Sequence, residues 1–137
     1  MIDFAHLESP LTEPPRFFIE PRDKLPGNEL ARVKRFRALF RKAFPGARLV
    51  AIPNGGLRGQ AALNQARSEG AAWGFADMMA IGSGRAFPLL EWKSGTGAVK
   101  SHQIEWLNWL TGRGHACGVF RKPETAIEWL LEKGFRA

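Results

Sequence analysis

A short apolar run between two glycine-rich turns is the feature that most constrains the fold of this chain. Residues 86–93 are flanked by the turn residues 82–85 on one side and 94–97 on the other. A run of this length, rich in aliphatic and aromatic residues and bounded by turn residues, is typical of a strand. Side chains alternate between the two faces of a strand, so Glu91 and Lys93 project from the same face, about 6.5 Å apart. The run therefore predicts a strand that ends in a carboxylate and an ammonium group.

Four helices and four strands follow from the spacing of apolar residues and from the capping and turn residues. Asn28 is predicted to cap the first helix and Ser101 the third, and Pro123 opens the last helix. The strand at 48–52 is predicted to be buried and the loop at 94–97 to be flexible. The predicted helices cover 28–44, 58–69, 102–112 and the stretch from Pro123 to Gly134, and the predicted strands cover 48–52, 75–81, 86–93 and 115–120.

Three helices carry apolar stripes at helical spacing, and these stripes predict which of their side chains face the core. The predicted inward residues are Leu30, Val33, Phe36, Phe40 and Phe44 in the first helix, Ile104, Leu107 and Leu110 in the third, and Ile127, Leu130 and Leu131 in the last.

The first 26 residues hold five of the nine prolines of the chain. Proline lacks a backbone N–H and restricts the residue before it, so this segment cannot form a helix or an inner strand. Phe17, Phe18 and Ile19 make it too apolar for a free tail. We predict an extended arm over 1–26, packed on its own domain or on a second subunit, and a single domain over 27–137.

The charge and composition indicate the class of partner. The net charge is +7 and the pI is near 10.3, which favours a polyanionic partner, nucleic acid first. The single cysteine, Cys117, excludes an internal disulfide framework and a cysteine-rich zinc site. No apolar run approaches the length of a membrane span, and the loop at 94–97 lacks the ending of a nucleotide-binding P-loop. We therefore expect a cytoplasmic protein with no membrane contact and no nucleotide cofactor.

A second carboxylate precedes the hairpin that leads into the apolar run. Asp77 lies in the strand predicted over 75–81, and the turn at 82–85 connects that strand to Glu91 and Lys93. Carboxylates are the hard oxygen ligands that Mg²⁺ and Mn²⁺ prefer, and a nearby lysine can orient a water or steady a phosphate. The pattern predicts metal-assisted hydrolysis of a phosphodiester. The alternative is that Asp77 caps a strand end while Glu91 and Lys93 form an ion pair on the sheet surface.

The hairpin register decides whether the two carboxylates can act together. With a two-residue turn at Ser83-Gly84, Asp77 would lie opposite Leu90 and on the face away from Glu91. An odd-length loop, or one bulge, would bring Asp77 opposite Glu91 on the same face. Pro88 cannot donate to a strand ladder and is itself a hint of a bulge. We predict the odd register.

Taken together, these motifs resemble one nuclease family. Gly74-Phe75-Ala76-Asp77 before the hairpin, then Glu91-Trp92-Lys93, then Gln103, look like the VRR-NUC domain of the PD-(D/E)XK superfamily. Asn54-Gly55-Gly56-Leu57-Arg58 and the helix that carries Glu29 fit the same pattern. The resemblance implies an α/β, restriction-endonuclease-like fold with a central mixed four-stranded sheet flanked by helices. It covers about residues 28–122, and departs from the family where Ala76 replaces the usual proline.

The resemblance also implies the roles of the site residues. Asp77, Glu91 and the main-chain carbonyl of Trp92 would be ligands of Mg²⁺ or Mn²⁺. Lys93 would be the catalytic lysine, and Gln103 would support the site from the next helix. The remaining residues predicted from this pattern are Glu29, which would approach the metal or its waters, and the candidate DNA contacts Arg32, Arg35, Asn54, Arg58 and Lys100.

The function implied by the resemblance is that of a stand-alone DNA endonuclease. Phage and bacterial members of this kind act as homodimers on branched DNA, including four-way (Holliday) junctions. A dimer fits this task, because one small site cuts one strand and symmetric cleavage needs two sites. The alternatives are a monomeric nuclease that processes flaps or ends, and a non-catalytic module that binds nucleic acid. A simple binding module has no need of carboxylates that face phosphates, because they repel DNA in the absence of a cation.

Overall fold

The computed structural model of the chain describes residues 13–53, 61, 64–65 and 74–137. Within them, a mixed five-stranded sheet is flanked by helices, and no helix is long and apolar enough to cross a membrane. The predicted helix over 58–69 lies outside the described residues, apart from three positions that are helical. The strands are β1 (Phe18–Ile19), β2 (Arg48–Ala51), β3 (Met78–Ile81), β4 (Leu89–Trp92) and β5 (Cys117–Phe120), and the helices are α1 (Glu29–Ala43), α2 (Ser101–Gly112) and α3 (Pro123–Glu132).

The sheet has the strand order β1-β5-β4-β3-β2. β5 pairs in parallel with both β1 and β4, whereas β3 pairs antiparallel with β4 and β2. The prediction of four strands is therefore wrong by one, because the proline-rich arm contributes a strand of its own. Phe18 and Ile19 pair with Gly118 and Val119 at the edge of the sheet, where neighbouring prolines cost no ladder hydrogen bonds. This part of the arm packs on its own domain.

The predicted odd register of the β3–β4 hairpin is confirmed. Met78 lies opposite Leu90 and Met79 opposite Leu89, so the connecting loop is centred on Gly84 and has an odd length. Extending the same register by one residue places Asp77 opposite Glu91. Both carboxylates therefore lie on one face of the sheet.

Each face of the sheet supports its own core. On one face, the aromatic side chains of α1 pack with those of β4, β5 and α3, among them Phe36, Trp92, Phe120 and Trp129. On the other face, Leu107 and Leu110 of α2 pack against Leu89 and Val119. Because strand side chains alternate, a buried Trp92 on the first face leaves Glu91 and Lys93 on the α2 face.

Several predicted features of the core differ in the structure. Leu30 and Leu131 are 61% and 59% exposed. Both lie off the buried faces of their helices, which are formed by Arg32, Phe36 and Phe40 in α1 and by Ala126, Trp129 and Leu130 in α3. Residues 48, 50 and 51 of β2 are exposed, since this strand is an edge strand of the sheet and not the buried strand predicted. Ser101 is the first residue of α2, and Lys100 takes the cap position predicted for it. The cap of α1 is as predicted: the Asn28 side chain accepts a hydrogen bond from the Ala31 N–H at 2.9 Å.

Candidate active site

Asp77 and Glu91 meet at the end of the β3–β4 hairpin. Glu91 is 2% exposed, and Asp77 comes directly before the first residue of β3. The Asp77 Oδ2 atom accepts a hydrogen bond from the Trp92 N–H at 2.8 Å, in the position where a backbone carbonyl would continue the ladder. This bond fixes the Asp77 carboxylate beside the end of β4. The N–H and C=O of one strand residue point to the same neighbouring strand, so the Trp92 carbonyl faces the Asp77 side as well.

Gln103 connects the first turn of α2 to the carboxylate of Glu91. Its Nε2 donates to Glu91 Oε1 at 2.7 Å, and its Oε1 accepts from the Lys100 N–H at 3.0 Å. The second bond also satisfies one of the backbone N–H groups at the start of the helix. Because both ends of the amide are bonded, the orientation of Gln103 is fixed with its donor on the carboxylate.

The two oxygens of Glu91 have different surroundings. Lys93 Nζ lies 3.8 Å from Glu91 Oε1, the same oxygen that Gln103 binds. Glu91 Oε2 is buried and receives no hydrogen bond from an N–H or hydroxyl group of the described residues, and the neighbouring Asp77 carboxylate can share a proton with Glu91. Buried polar atoms without a partner are rare in native proteins and often mark a site for an ion or water. The free oxygen belongs to the carboxylate that the motif predicts as a metal ligand.

The acids of this cluster hold their protons more tightly than usual. Burial raises the pKa of Glu91, and the negative charge of Asp77 raises it further, against the opposing effect of Lys93. Burial also raises the pKa of Asp77, although its hydrogen bond from Trp92 opposes that shift. Lys93 only partly offsets the two neighbouring carboxylates, and a hard divalent cation would supply further positive charge.

The donor set of the cluster fits Mg²⁺ or Mn²⁺. It offers two carboxylates, one with a free oxygen, and a main-chain carbonyl on the same side. The described residues contain no group of three His, Cys, Asp or Glu side chains arranged around one metal position. Mg²⁺ commonly keeps several waters and binds protein through only one or two carboxylates, so this small donor set is of the expected kind.

Glu29 is the third acid of the cluster. It is the first residue of α1 and keeps much of its surface exposed. Partial burial and the charge of Asp77 raise the pKa of Glu29, and the charge of Glu29 in turn contributes to the raised pKa of Glu91. The structure thus brings the first turn of α1 within electrostatic range of the two predicted metal ligands.

The predicted DNA contacts have separate locations. Arg32 is 5% exposed, and all five of its N–H donors are used: Asp23 accepts two and the carbonyls of Leu25, Gly27 and Arg121 accept the rest. No donor remains for a phosphate, so the structure does not support a DNA contact by Arg32. Arg35 is exposed and forms an ion pair with Glu124 of α3, and Lys100 is exposed beside the site. Asn54 and Arg58 lie outside the described residues.

Sequence reasoning missed two buried residues that hold the loop after Lys93. Arg121 Nη1 donates to the carbonyls of Ser94 and Gly97, both at 2.7 Å. Glu20 of the arm accepts the Arg121 N–H at 2.5 Å, and its own carbonyl accepts from Arg121 Nε at 3.0 Å. The loop is therefore held at several points, and the prediction that it is flexible is not supported. No sequence motif marks these residues, since their partners are far away along the chain.

The chain matches no protein family, no curated protein and no solved structure with which it was compared. The likeness to the VRR-NUC domain thus rests on the motifs, and stays a prediction. Any functional assignment depends on the geometry around Asp77, Glu91, Lys93 and Gln103.

Proposed function

We propose that this protein is a metal-dependent DNA endonuclease with a PD-(D/E)XK fold, which hydrolyses phosphodiester bonds in branched DNA such as four-way junctions. The observation that carries the proposal is the pair formed by half-buried Asp77 and buried Glu91 on one face of the sheet, with Lys93 and Gln103 on one oxygen of Glu91 and no N–H or hydroxyl donor from the described residues on the other. A surface ion pair would not need a buried carboxylate with an unpartnered oxygen, because leaving such an atom without a partner costs about 1–3 kcal/mol.

Asp77, Glu91 and the carbonyl of Trp92 would hold Mg²⁺ or Mn²⁺ in this enzyme, and the charge of Glu29 would add to its attraction. The bound ion would supply an acidified water and positive charge against the phosphate. In the metal-free protein, the raised pKa values of Glu91 and Asp77 mean that protons compete for this position. Asp77 and Glu91 would therefore release a proton when they hold the ion.

The other residues of the cluster would hold Glu91 in position and neutralise negative charge. Gln103 holds Glu91 Oε1, and no N–H or hydroxyl group of the described residues occupies Oε2. The ammonium group of Lys93, 3.8 Å from Glu91 Oε1, is held close to the carboxylates and would steady a phosphate oxygen or orient the attacking water. Arg121 restrains the loop that follows Lys93, which limits how far that side chain can move.

DNA is proposed as the substrate because the chain carries a net charge of +7. The preference for branched DNA and the homodimer are proposed because the motifs resemble those of the VRR-NUC domain. Symmetric cleavage of a junction requires two copies of this single site, and a two-fold dimer supplies them.

The proposal is tested by assaying the purified protein on labelled four-way junction, flap, duplex and single-stranded DNA with Mg²⁺ or Mn²⁺. We expect Asp77→Asn and Lys93→Ala to lower the cleavage rate by about 100-fold or more while DNA binding is retained. Glu105→Gln and Lys133→Ala remove the same charges from exposed positions and should leave the rate unchanged. Symmetric nicking of the junction supports a dimeric junction endonuclease. Cleavage only at free ends favours the monomeric alternative, and binding without cleavage favours the non-catalytic module.

A further inference from the structure

The exposed cations of α1 divide into two sets by the side of the helix on which they lie. Arg35 pairs with Glu124, and Lys42 lines a cavity with Glu124 and Glu128, so both face α3 and its acids. Arg37 and Arg41 lie on the other side, where they line a groove of about 260 Å³ together with Arg48 of β2. The floor of this groove is formed by Phe40, Ala47 and Leu49.

The three arginines of this groove have no acidic partner in the part of the chain that the structure describes. Arg37, Arg41 and Arg48 are exposed, and none of them forms an ion pair there. Arg37 and Arg41 are four residues apart on one helix, an arrangement that costs about 0.2–0.5 kcal/mol through like-charge repulsion. A polyanion bound in the groove would turn this unfavourable charge density into a favourable one.

The basic groove continues towards the carboxylate cluster. Lys34 lies three residues before Arg37 and seven before Arg41, so these side chains share one face of α1. The row spans about 10 Å, which corresponds to about three base-pair steps along the axis of a DNA duplex. Glu29, at the cluster end of the same helix, lies about 18 Å from Arg41 along the axis. The groove is thus remote from the bond that would be cut and within reach of the same DNA arm.

We propose that Arg37, Arg41 and Arg48, extended by Lys34, form a phosphate-binding groove for a DNA duplex arm. The inference rests on the proposed function for the identity of the polyanion. Guanidinium groups match phosphate oxygens as paired donors. An acidic protein partner fits less well, because protein interfaces centre on exposed apolar anchors. Here Phe40 is 1% exposed and serves as the floor.

The test compares two double variants in metal-free buffer, where no cleavage occurs. Arg37→Gln with Arg41→Gln removes two charges from the groove, and Lys42→Gln with Lys133→Gln removes two from exposed positions on the α3 side. Binding of a fluorescein-labelled DNA duplex and of a four-way junction is measured by anisotropy over a range of NaCl concentrations. We expect the groove variant to bind about tenfold or more weakly at about 0.1 M salt, with a salt slope lower by about 1.8, two phosphate contacts at 0.9 each. The matched control variant should keep the wild-type slope.

Equal losses in both variants would overturn the inference, because binding would then follow net charge alone. Wild-type affinity in the groove variant, or no binding by the wild-type protein, would overturn it too. Tighter binding of an RNA duplex of the same length would overturn the choice of DNA as partner. The outcome is separate from catalysis: if the groove variant alone loses binding and no DNA is cleaved with either metal, the inference stands and the proposed endonuclease activity fails.

Discussion

Glu91 combines features that rarely occur together in a residue whose role is structural. The residue is 2% exposed, one carboxylate oxygen is bonded to Gln103, and the other receives no hydrogen bond from an N–H or hydroxyl group of the described residues. Burying a charged group costs several kcal/mol unless it is fully paired, and Lys93 at 3.8 Å is only a partial compensation. In the metal-free protein, an ionised Glu91 therefore opposes folding. Such a cost is typical of residues that are retained for function.

The pH dependence of stability tests this interpretation of Glu91. Its pKa rises from an ordinary 4.5 to about 9, because burial and the charge of Asp77 favour the protonated form. The folded protein thus binds this proton more tightly than the unfolded chain does. The stability that this proton contributes to the folded protein is complete below about pH 4.5 and is lost as the pH rises towards about 9.

Glu91→Gln removes this titration and keeps the shape of the side chain. In EDTA, we expect the variant to be more stable than the wild type at pH 8 by at least about 1.4 kcal/mol, the free energy of one pKa unit. The free energies of unfolding of the two proteins should become similar near pH 4.5, as measured by chemical denaturation across this range. A difference that does not change with pH would show that Glu91 does not titrate as described.

The cluster could be predicted from sequence because its geometry depends on local rules. Strand alternation places Glu91 and Lys93 on one face, and the parity of one hairpin loop decides whether Asp77 joins them. The burial of Arg32 could not be predicted in this way. Its burial depends on acceptors from the arm and from the end of β5, and no periodicity signals contacts between such distant segments.

At the scale of secondary-structure elements, the arm is the part of the fold that sequence patterns describe least well. β1 has only two residues, too few to show an alternating pattern, and prolines surround it. Its contribution comes from tertiary contacts. Glu20, directly after β1, accepts hydrogen bonds from the N–H groups of Arg121 and Lys122 and from the hydroxyl of Thr125, at 2.5–2.9 Å. The arm thereby joins the end of β5 to the start of α3.

Glu20→Ala should therefore destabilise the whole domain. The change removes the acceptor of three hydrogen bonds and the negative charge beside the buried Arg121, and we expect a loss of about 3 kcal/mol in the free energy of unfolding. Glu13→Ala is the matched control in the same arm, because the polar contact of Glu13 within the described part of the chain is an exposed ion pair with Arg16. Its expected cost is about 0.5 kcal/mol or less. Similar costs for the two variants, measured by urea denaturation, would mean that the arm is not an integral part of the fold.

On the scale of the whole molecule, the charges are separated. The net charge is +7, yet Glu29, Asp77 and Glu91 gather at one end of the sheet, where Lys93 is the close cation among the residues that the structure describes. The cationic surface attracts a polyanion, whereas the acidic cluster repels it. A bound divalent cation would reverse the sign of the local charge and make the cluster compatible with a phosphate. The same reasoning predicts that divalent cations stabilise the folded chain.

A ligand that binds only the folded state raises its stability by mass action. At a Mg²⁺ or Mn²⁺ concentration 100 times the Kd, the gain is about 2.7 kcal/mol, and the melting temperature of a domain of this size should rise by roughly 8 °C. Asp77→Asn and Glu91→Gln should lose most of this rise, because each removes one of the two carboxylates. Glu105→Gln, which changes an exposed acid of α2, should keep it.

NaCl at the same ionic strength controls for screening of the net charge. An equal rise in all three variants would place the stabilising cation elsewhere on the protein. Because thermal unfolding needs no substrate, the result bears on the metal site even if the preferred DNA has not been found.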